Sequence, residues 1–503
     1  MKPMGTITKY YPFIDEETKT ILGSLMDESN SYYDFVQRMS IKVLKEEVPV
    51  NLAYLAAGHV WWCRIEETKN LIQEKYKNVP CIRPWVFPHN SIERDQVMYH
   101  DAVVEAIDKV LDSSAEDWME TELHLLHTFY HWPLGDVPSL LEPVEKAKVL
   151  IEANPLLNCF EPLICAFKGL AKRREGYTKD ALIVYQRGQE LAEVHDDSLY
   201  MYMNLLEQAD TLVALNIQES LARFEELYDL ALDLEVPYFT GEVLHDSGVA
   251  FETAGEYDLA ISSHHEKMKA YGMEDIPDAF PSRIYSSLGD GQKALEVINR
   301  YFEYAEPVET LVFHLWKAWA LALVDRLEEA ERTLDTAHSL IIKSGSERTL
   351  GNYFHFSGVV ELRRGDFLAA LDLFEKAWDI AERIPAGTNQ NRALFDLARV
   401  EILLSNHSKD STKVVVPGKW LCKLENFAVE HDLPGIRMQA ALLKSEFYQS
   451  QGQLRDALGT LQEALEISDS LGVKTLRKRI SDRIRELNQL LREAEVSTEK
   501  RKR

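Results

Sequence analysis

The chain has 503 residues, with 56 Lys plus Arg against 82 Asp plus Glu for a net charge of -26, and 46% of it is hydrophobic. These proportions are those of a folded globular protein and exclude a disordered, collagen-like or disulfide-scaffold chain. The summed negative field repels polyanions, which argues against general adhesion to nucleic acid or to an anionic membrane surface.

The opening residues, Met1 to Tyr10, carry no apolar core segment and no small-residue cleavage site, so no secretory signal is expected. Helical spacing then runs through Glu16–Asp27, Tyr32–Glu47, Val50–Lys75, Ile92–Leu111 and Ala115–Tyr130. Between the third and fourth helices, Asn78 to His89 holds Pro80, Pro84 and Pro88. Proline removes a backbone donor and restricts its predecessor, so this stretch is expected to be an aromatic loop. Its Trp85 and Phe87 either fold back to plug the first part of a groove or form a ligand-binding surface. Cys63, Cys81, Cys159, Cys165 and Cys422 are odd in number and form no CxxC pair. Neither a disulfide framework nor a thiolate zinc site is expected, and the cytosol is the natural compartment.

His124, His127 and His131 recur at i, i+3 and i+7 and share one helix face. Imidazole is a common zinc ligand, with Glu122 or Asp136 available as an oxygen donor, so a metal-dependent enzyme centred on these residues is an alternative reading. Leu125, Leu126, Phe129, Tyr130 and Trp132 around them read as core, and packed structural histidines are the expectation.

From residue 135 onward a pattern repeats. A small or turn residue is followed five positions later by Ala, Leu or Ser: Gly135/Leu140, Gly176/Ala181, Leu215/Ser220, Gly255/Ala260, Gly289/Ala294, Asp325/Ala330, Gly365/Ala370 and Gly452/Ala457, with a degenerate copy turning near Ser405. Successive turns lie 34 to 47 residues apart, most near 40. Four beyond the small residue comes a bulky one, Val144, Tyr185, Phe224, Ile298, Leu334, Phe374 or Leu461, with His264 as the exception. Gly169, Gly248 and Gly358 each stand seven before a turn glycine. The apolar run Leu311–Val324 contains His314 and Lys317 and falls short of the roughly 20 residues a membrane span needs, so it reads as a buried helix. The clearest unit is Gly351–Ile384: one helix with Tyr353, Phe354, Val360 and Leu362, a break at Gly365-Asp366, then Phe367, Ala370, Leu371, Phe374, Ala377 and Trp378 on one face, stopped by Pro385.

These residues make the chain resemble the tetratricopeptide-repeat family over roughly Leu123 to Leu471, in a long-helix variety with a period above the usual 34. The resemblance implies an all-α fold, a right-handed superhelical solenoid of antiparallel helix pairs, with a concave groove lined by the first helix of each pair. It implies a protein or peptide as partner and no cofactor. The divisions expected are an N-terminal helical cap over 1–120, the repeat array over 121–472, and a capping helix with a basic tail over 473–503. Counting back from each turn places Tyr202, His245, Trp319, His355, Arg392 and Arg399 on the groove side as candidate partner-binding residues. The basic, Asn-containing carboxylate clamp of chaperone-binding repeats is missing from these positions. Arg392 and Arg399 form a local basic spot suited to an acidic or carboxylate-bearing stretch.

Asn406 to Gly418 is polar and reads as an exposed loop. From Lys474 to Arg503 the net charge is +6, and Leu476, Ile480, Ile484, Leu487 and Leu491 make a stripe that should seal the last repeat. Lys500 to Arg503 then form either a solvated end or a docking element for an acidic surface. Gly289-Asp290-Gly291 lacks the rest of any phosphate-binding signature, and no HExxH, GxSxG or kinase set is present. The reading is a cytoplasmic, non-enzymatic scaffold or adaptor that binds a polypeptide. A peptide-sensing regulator is a further alternative.

Overall fold

Helix starts follow the capping residues. Asp15 accepts from the Thr18 amide at 2.7 Å and opens Glu16–Glu28, and Ser31 accepts from the Asp34 amide at 3.1 Å and opens Tyr32–Lys45. In both, a side-chain oxygen satisfies an amide the helix cannot pair internally. This computed structural model describes residues 4–86, 93–112, 116–131, 137–304, 311–344, 347–383, 387–407, 418–431, 433–471 and 474–502. Among these the regular structure is helix, without strand, and no helix is long and apolar enough to cross a membrane.

The stretch expected as a single helix over Val50–Lys75 is two, Val50–Trp62 and Glu66–Lys75. Arg64 adopts a left-handed backbone, φ 57°, which ends the first helix without glycine or proline. The sequence gives no breaker there, so periodicity ran straight through. The proline-rich stretch forms a short 3-10 helix, Pro80–Val86. Trp85 is buried against Tyr54 and Trp61, with ring centroids 5.8 and 5.7 Å away, and lies over Gly58, within the N-terminal helices. Phe87 lies outside the described residues.

From residue 117 the described helices pair in sequence. Asp117–His131 packs on Val137–Ala153, Glu161–Arg174 on Thr178–Val194, and Ser198–Leu215 on Ile217–Leu234. Pro237–Ala254 packs on Tyr257–Ala270, Phe280–Ser287 on Gly291–Phe302, and Leu311–Leu323 on Leu327–Ser344. Glu347–Arg364 packs on Phe367–Arg383, Gly387–His407 on Lys419–Glu430, and Pro434–Ser450 on Leu454–Leu471. Each pair packs on the next, chiefly through its second helix against the following first helix, giving an all-α solenoid of stacked helix pairs. The final helix, Lys474–Lys502, lies on Leu454–Leu471 and buries Ile480 and Leu487.

The repeat register holds at side-chain level. Leu140, Ala181, Ser220, Ala260, Ala294, Ala330, Ala370 and Ala457 are all 0% exposed. The bulky positions Val144, Tyr185, Phe224, Ile298, Leu334, Phe374 and Leu461 are buried too, and His264 occupies the same site, fully enclosed. The glycines seven before the turns explain how these fit. A Cβ added at Gly169 would come within 2.3 Å of the Tyr185 ring, and one at Gly358 within 2.7 Å of Phe374. Close approach of the two helices requires a bare backbone opposite each large side chain.

Two further contacts set the overall form. Residues near the N-terminus are pinned to the array: Lys9 Nζ lies 2.6 Å from Asp197 Oδ2, with both side chains buried. The superhelix also closes on itself. Pro434–Ser450 touches Ser198–Leu215, Lys474–Lys502 touches Pro237–Ala254, and His431 Nδ1 lies 3.3 Å from the Gly176 carbonyl oxygen. One apolar core accordingly contains residues from Ile7 to Ala254 together with Met438, Leu461, Ile480 and Leu487.

Candidate functional site

Two charge clusters form on the first helices of the pairs. In the first, Glu207 and Asp210 on Ser198–Leu215 meet Glu242 and Asp246 on Pro237–Ala254. Arg173 reaches Glu207 at 2.9 Å and Asp210 at 3.5 Å. The hydroxyl of Tyr271 donates to Glu242 at 2.9 Å, and Arg64 donates to the Tyr238 hydroxyl at 2.9 Å, with its guanidinium 4.3 Å from that ring. Burial pushes the Asp210 carboxyl up to about 6, with Arg173 opposing and Glu207 adding to the rise. Asp246 is pushed well up by burial and by its acidic neighbours. Four carboxylates with so little local cation cannot all hold a full charge in a partly desolvated site.

The second cluster is basic. Arg283 on Phe280–Ser287 pairs with Glu252, and its guanidinium lies 5.8 Å from the Trp316 ring. Gly387–His407 carries Arg392, half-buried, Asp396, buried, and Arg399, exposed, at successive turns of one face. Neither Arg392 nor Arg399 makes an ion pair or hydrogen bond with a described residue. Burial holds Arg392 below the ordinary guanidinium range, and the like charge of Arg283 adds to this, while Asp396 and Glu252 act the other way. His355 Nδ1 stands 3.4 Å from Asp396 Oδ2. The imidazole is neutral, because burial and Arg392 both push its pKa well down, so this contact is polar rather than ionic.

Between the clusters, His245 lies against Phe280 at 4.3 Å and His264 at 5.3 Å, and Lys267 pairs with Asp278 at 2.7 Å. Trp319 is partly buried, its ring 5.9 Å from Phe356. Tyr202 is 3% exposed, stacked on Phe239 at 4.4 Å, and donates its hydroxyl to the Phe239 carbonyl at 3.1 Å. The structure thus gathers His355, Arg392 and Arg399 around Asp396, and sets Tyr202 into the wall at the acidic end.

Counting back from each turn missed the acidic cluster, because Asp210 and Asp246 sit one residue off the counted positions. Arg283 was within reach. It stands six before Gly289, where Trp319 and Arg399 stand relative to their own turns. Its short, proline-started helix concealed the match.

The histidine helix is resolved as a pair plus one. His127 and His131 bring their Nε2 atoms to 2.9 Å, while His124 lies 3.7 Å from Glu120 and is pushed down to about 4 by burial and Lys146. Among the described residues no three His, Cys, Asp or Glu side chains converge as a metal site. Trp132 and Asp136 lie outside the described residues.

Asp396 makes a pH prediction. Burial raises its carboxyl to about 6, against the opposing Arg399 and Arg392, from about 3.9 in an unfolded chain. The native state therefore binds more protons between these values, so the contribution to stability is full below about pH 4 and lost as pH rises through 6. Relative to Asp396→Asn, the wild type is expected to lose about 2–3 kcal/mol between pH 4 and pH 7 in urea titrations. Parallel profiles for the two proteins would show that this carboxyl is not perturbed.

No family model matches the chain, and no curated protein matches it. Among solved structures, phAimR with its ligand is similar at 12% identity and TM-score 0.45, covering 76% of this chain and 96% of that one. A Rap protein complexed with competence and sporulation factor is similar at 13% identity and TM-score 0.41, covering 74% and 99%. A tetratricopeptide repeat protein from Parabacteroides merdae is similar at 18% identity and TM-score 0.36, covering 55% and 99%. These are likenesses of fold.

Proposed function

We propose that the chain is a non-enzymatic scaffold or receptor that binds a polypeptide segment in the interior of its solenoid. The observation that supports this reading is the pair Arg392 and Arg399, two cations on one helix face that make no hydrogen bond or close ion pair with a described residue. Arg392 is half-buried, with the opposite charges of Asp396 and Glu252 acting on it from beyond ion-pair distance, so its guanidinium donors remain available to an incoming acceptor. Trp319 is partly buried and offers apolar surface, His245 is partly buried, and His355 and Tyr202 are buried beneath. The five free cysteines fit a reducing compartment, the cytosol.

Affinity capture followed by mass spectrometry identifies the partner, and Trp319→Ala and Arg399→Glu then report on the groove. Each is expected to weaken capture by about tenfold or more, the scale of an interface anchor. Arg187→Glu and Leu368→Ala, on exposed faces of second helices, should leave it unchanged, with helical content checked by circular dichroism. Equal loss from both sets would move recognition away from the groove.

A further inference from the structure

We infer that a cavity of about 290 Å³ beside the helix Leu311–Leu323 binds a phosphate group, free or carried by a small ester. Leu311–Leu323 packs on both Gly291–Phe302 and Leu327–Ser344, and all three helices line the cavity. His314, Lys317 and Leu321 stand at i, i+3 and i+7 on the first of them and so share one face. Glu329 and Arg332 stand three apart on Leu327–Ser344, and Arg326 immediately precedes that helix. Leu295 adds apolar surface from Gly291–Phe302. Lys317 and Trp319 are two residues apart, about 200° round the helix axis. The cavity is therefore separate from the surface proposed to bind a polypeptide, and does not rest on that reading.

The wall is cationic. Lys317, Arg326 and Arg332 meet a single carboxylate among the lining residues, Glu329. Both Glu329 oxygens are engaged by Arg326, through Nε and Nη2 at 2.6 Å each. Lys317 and Arg332 make no hydrogen bond or close ion pair with a described residue, although the charge of Glu329 acts on both from farther off. Lys317 is half-buried, its Nζ 5.0 Å from the centroid of the Phe302 ring, which in turn lies 4.7 Å from His314. His314 Nδ1 is buried without a hydrogen-bond partner. Burial and then Lys317 hold that imidazole down to about 4, so at neutral pH it adds no charge and keeps one N–H to donate. Three cations against one carboxylate leave two positive charges. A phosphate monoester is close to a dianion at neutral pH, and its oxygens can accept from donors on different helices at once. A monocarboxylate would leave one charge unmatched. The volume lies near the lower end for small-molecule sites, which suits a small ligand and not a polypeptide. The net charge of -26 opposes any anion, but charges beyond about 8 Å are largely screened at physiological salt, so the wall residues decide.

A ligand held here ties three consecutive helices together and stabilises the folded chain by mass action. The full-length protein is titrated in phosphate-free buffer at fixed ionic strength with inorganic phosphate, ribose 5-phosphate, ribose and succinate, followed by calorimetry and by melting temperature. Ribose 5-phosphate is expected to give a saturable heat and to raise the melting temperature. Ribose, which lacks the phosphate, and succinate, which carries its two charges on separate carboxylates, are expected to do neither. Inorganic phosphate binding as tightly as the ester would identify the free ion as the ligand, and weaker binding would identify a small ester. Lys317→Gln should weaken binding by about tenfold or more, the scale of a lost charge-assisted hydrogen bond. Arg332→Gln, at an exposed position, should act in the same direction and serves if Lys317→Gln does not fold. Arg187→Gln, on an exposed face of Thr178–Val194, should match the wild type. No saturable response to either phosphate probe, an equal response to succinate, or binding that survives both substitutions would overturn the assignment.

Discussion

Replacing Asp197 with alanine is expected to destabilise the protein by about 3–5 kcal/mol, the cost of leaving one member of a buried ion pair without its counter-charge. Asp197 has four partners. Its Oδ2 takes Lys9 Nζ at 2.6 Å, and its Oδ1 accepts from the Thr6 hydroxyl at 3.0 Å and the Leu199 and Tyr200 amides at 3.1 and 3.2 Å. The same residue therefore caps the helix Ser198–Leu215 and holds the N-terminal residues in place. The Lys9 ammonium also lies 3.5 Å from the Tyr200 ring centroid, so removing Asp197 strands a charge among aromatic walls. Asp197→Asn retains an oxygen for the cap and should lose less. At the exposed pair Lys19–Glu16, Glu16→Ala should change stability by roughly 0.5 kcal/mol at most. The comparison is made by urea denaturation; an Asp197→Ala midpoint no lower than that of Glu16→Ala would contradict the buried pairing.

The second large effect is at Phe374. Its ring is 0% exposed, and Phe374→Ala should cost about 3–5 kcal/mol through lost transfer energy and the cavity left behind. Gly358→Ala should cost about 1–3 kcal/mol by overpacking, since the added methyl meets Phe374 at 2.7 Å. The double variant separates this account from a general weakening of the helix pair. If the methyl and the ring compete for one volume, Gly358→Ala loses most of its penalty once Phe374 is alanine, and the double variant falls below the sum of the singles. Additive losses would mean that the two residues do not oppose each other.

Much of this packing was legible because a repeat states its rule several times. Small residues five beyond each turn and bulky residues nine beyond it identify themselves through recurrence, even where His264 replaces an apolar side chain. The turn at Asp325 was legible for the same reason, and the chain there adopts φ 58° without glycine. The break at Arg64 occurs once, in a region with no repeat to compare, and so left no periodic trace. Part of the basic cluster was legible. Arg392 and Arg399 follow from counting along one helix, and Arg283 from the same count applied to a short repeat. The acidic cluster at Asp210 and Asp246 escaped because these residues lie one off the counted positions and acidic residues on helices ordinarily face water.

The contact between His431 and Gly176 changes how such an array folds. An open row of repeats unzips from whichever end is weaker, because each unit depends only on its neighbours. Here the residues that meet lie 255 apart in sequence, and joining them in a flexible chain would cost about 5 kcal/mol in loop entropy. Stiff stacked pairs meet most of that cost in advance by carrying the late helices round to the early ones. The seam then links the late helices to the middle of the chain, so that melting Pro434–Ser450 is expected to expose apolar surface on Ser198–Leu215. The expected cooperativity is that of a closed band: the late helices cannot be loosened without weakening the helices they rest on.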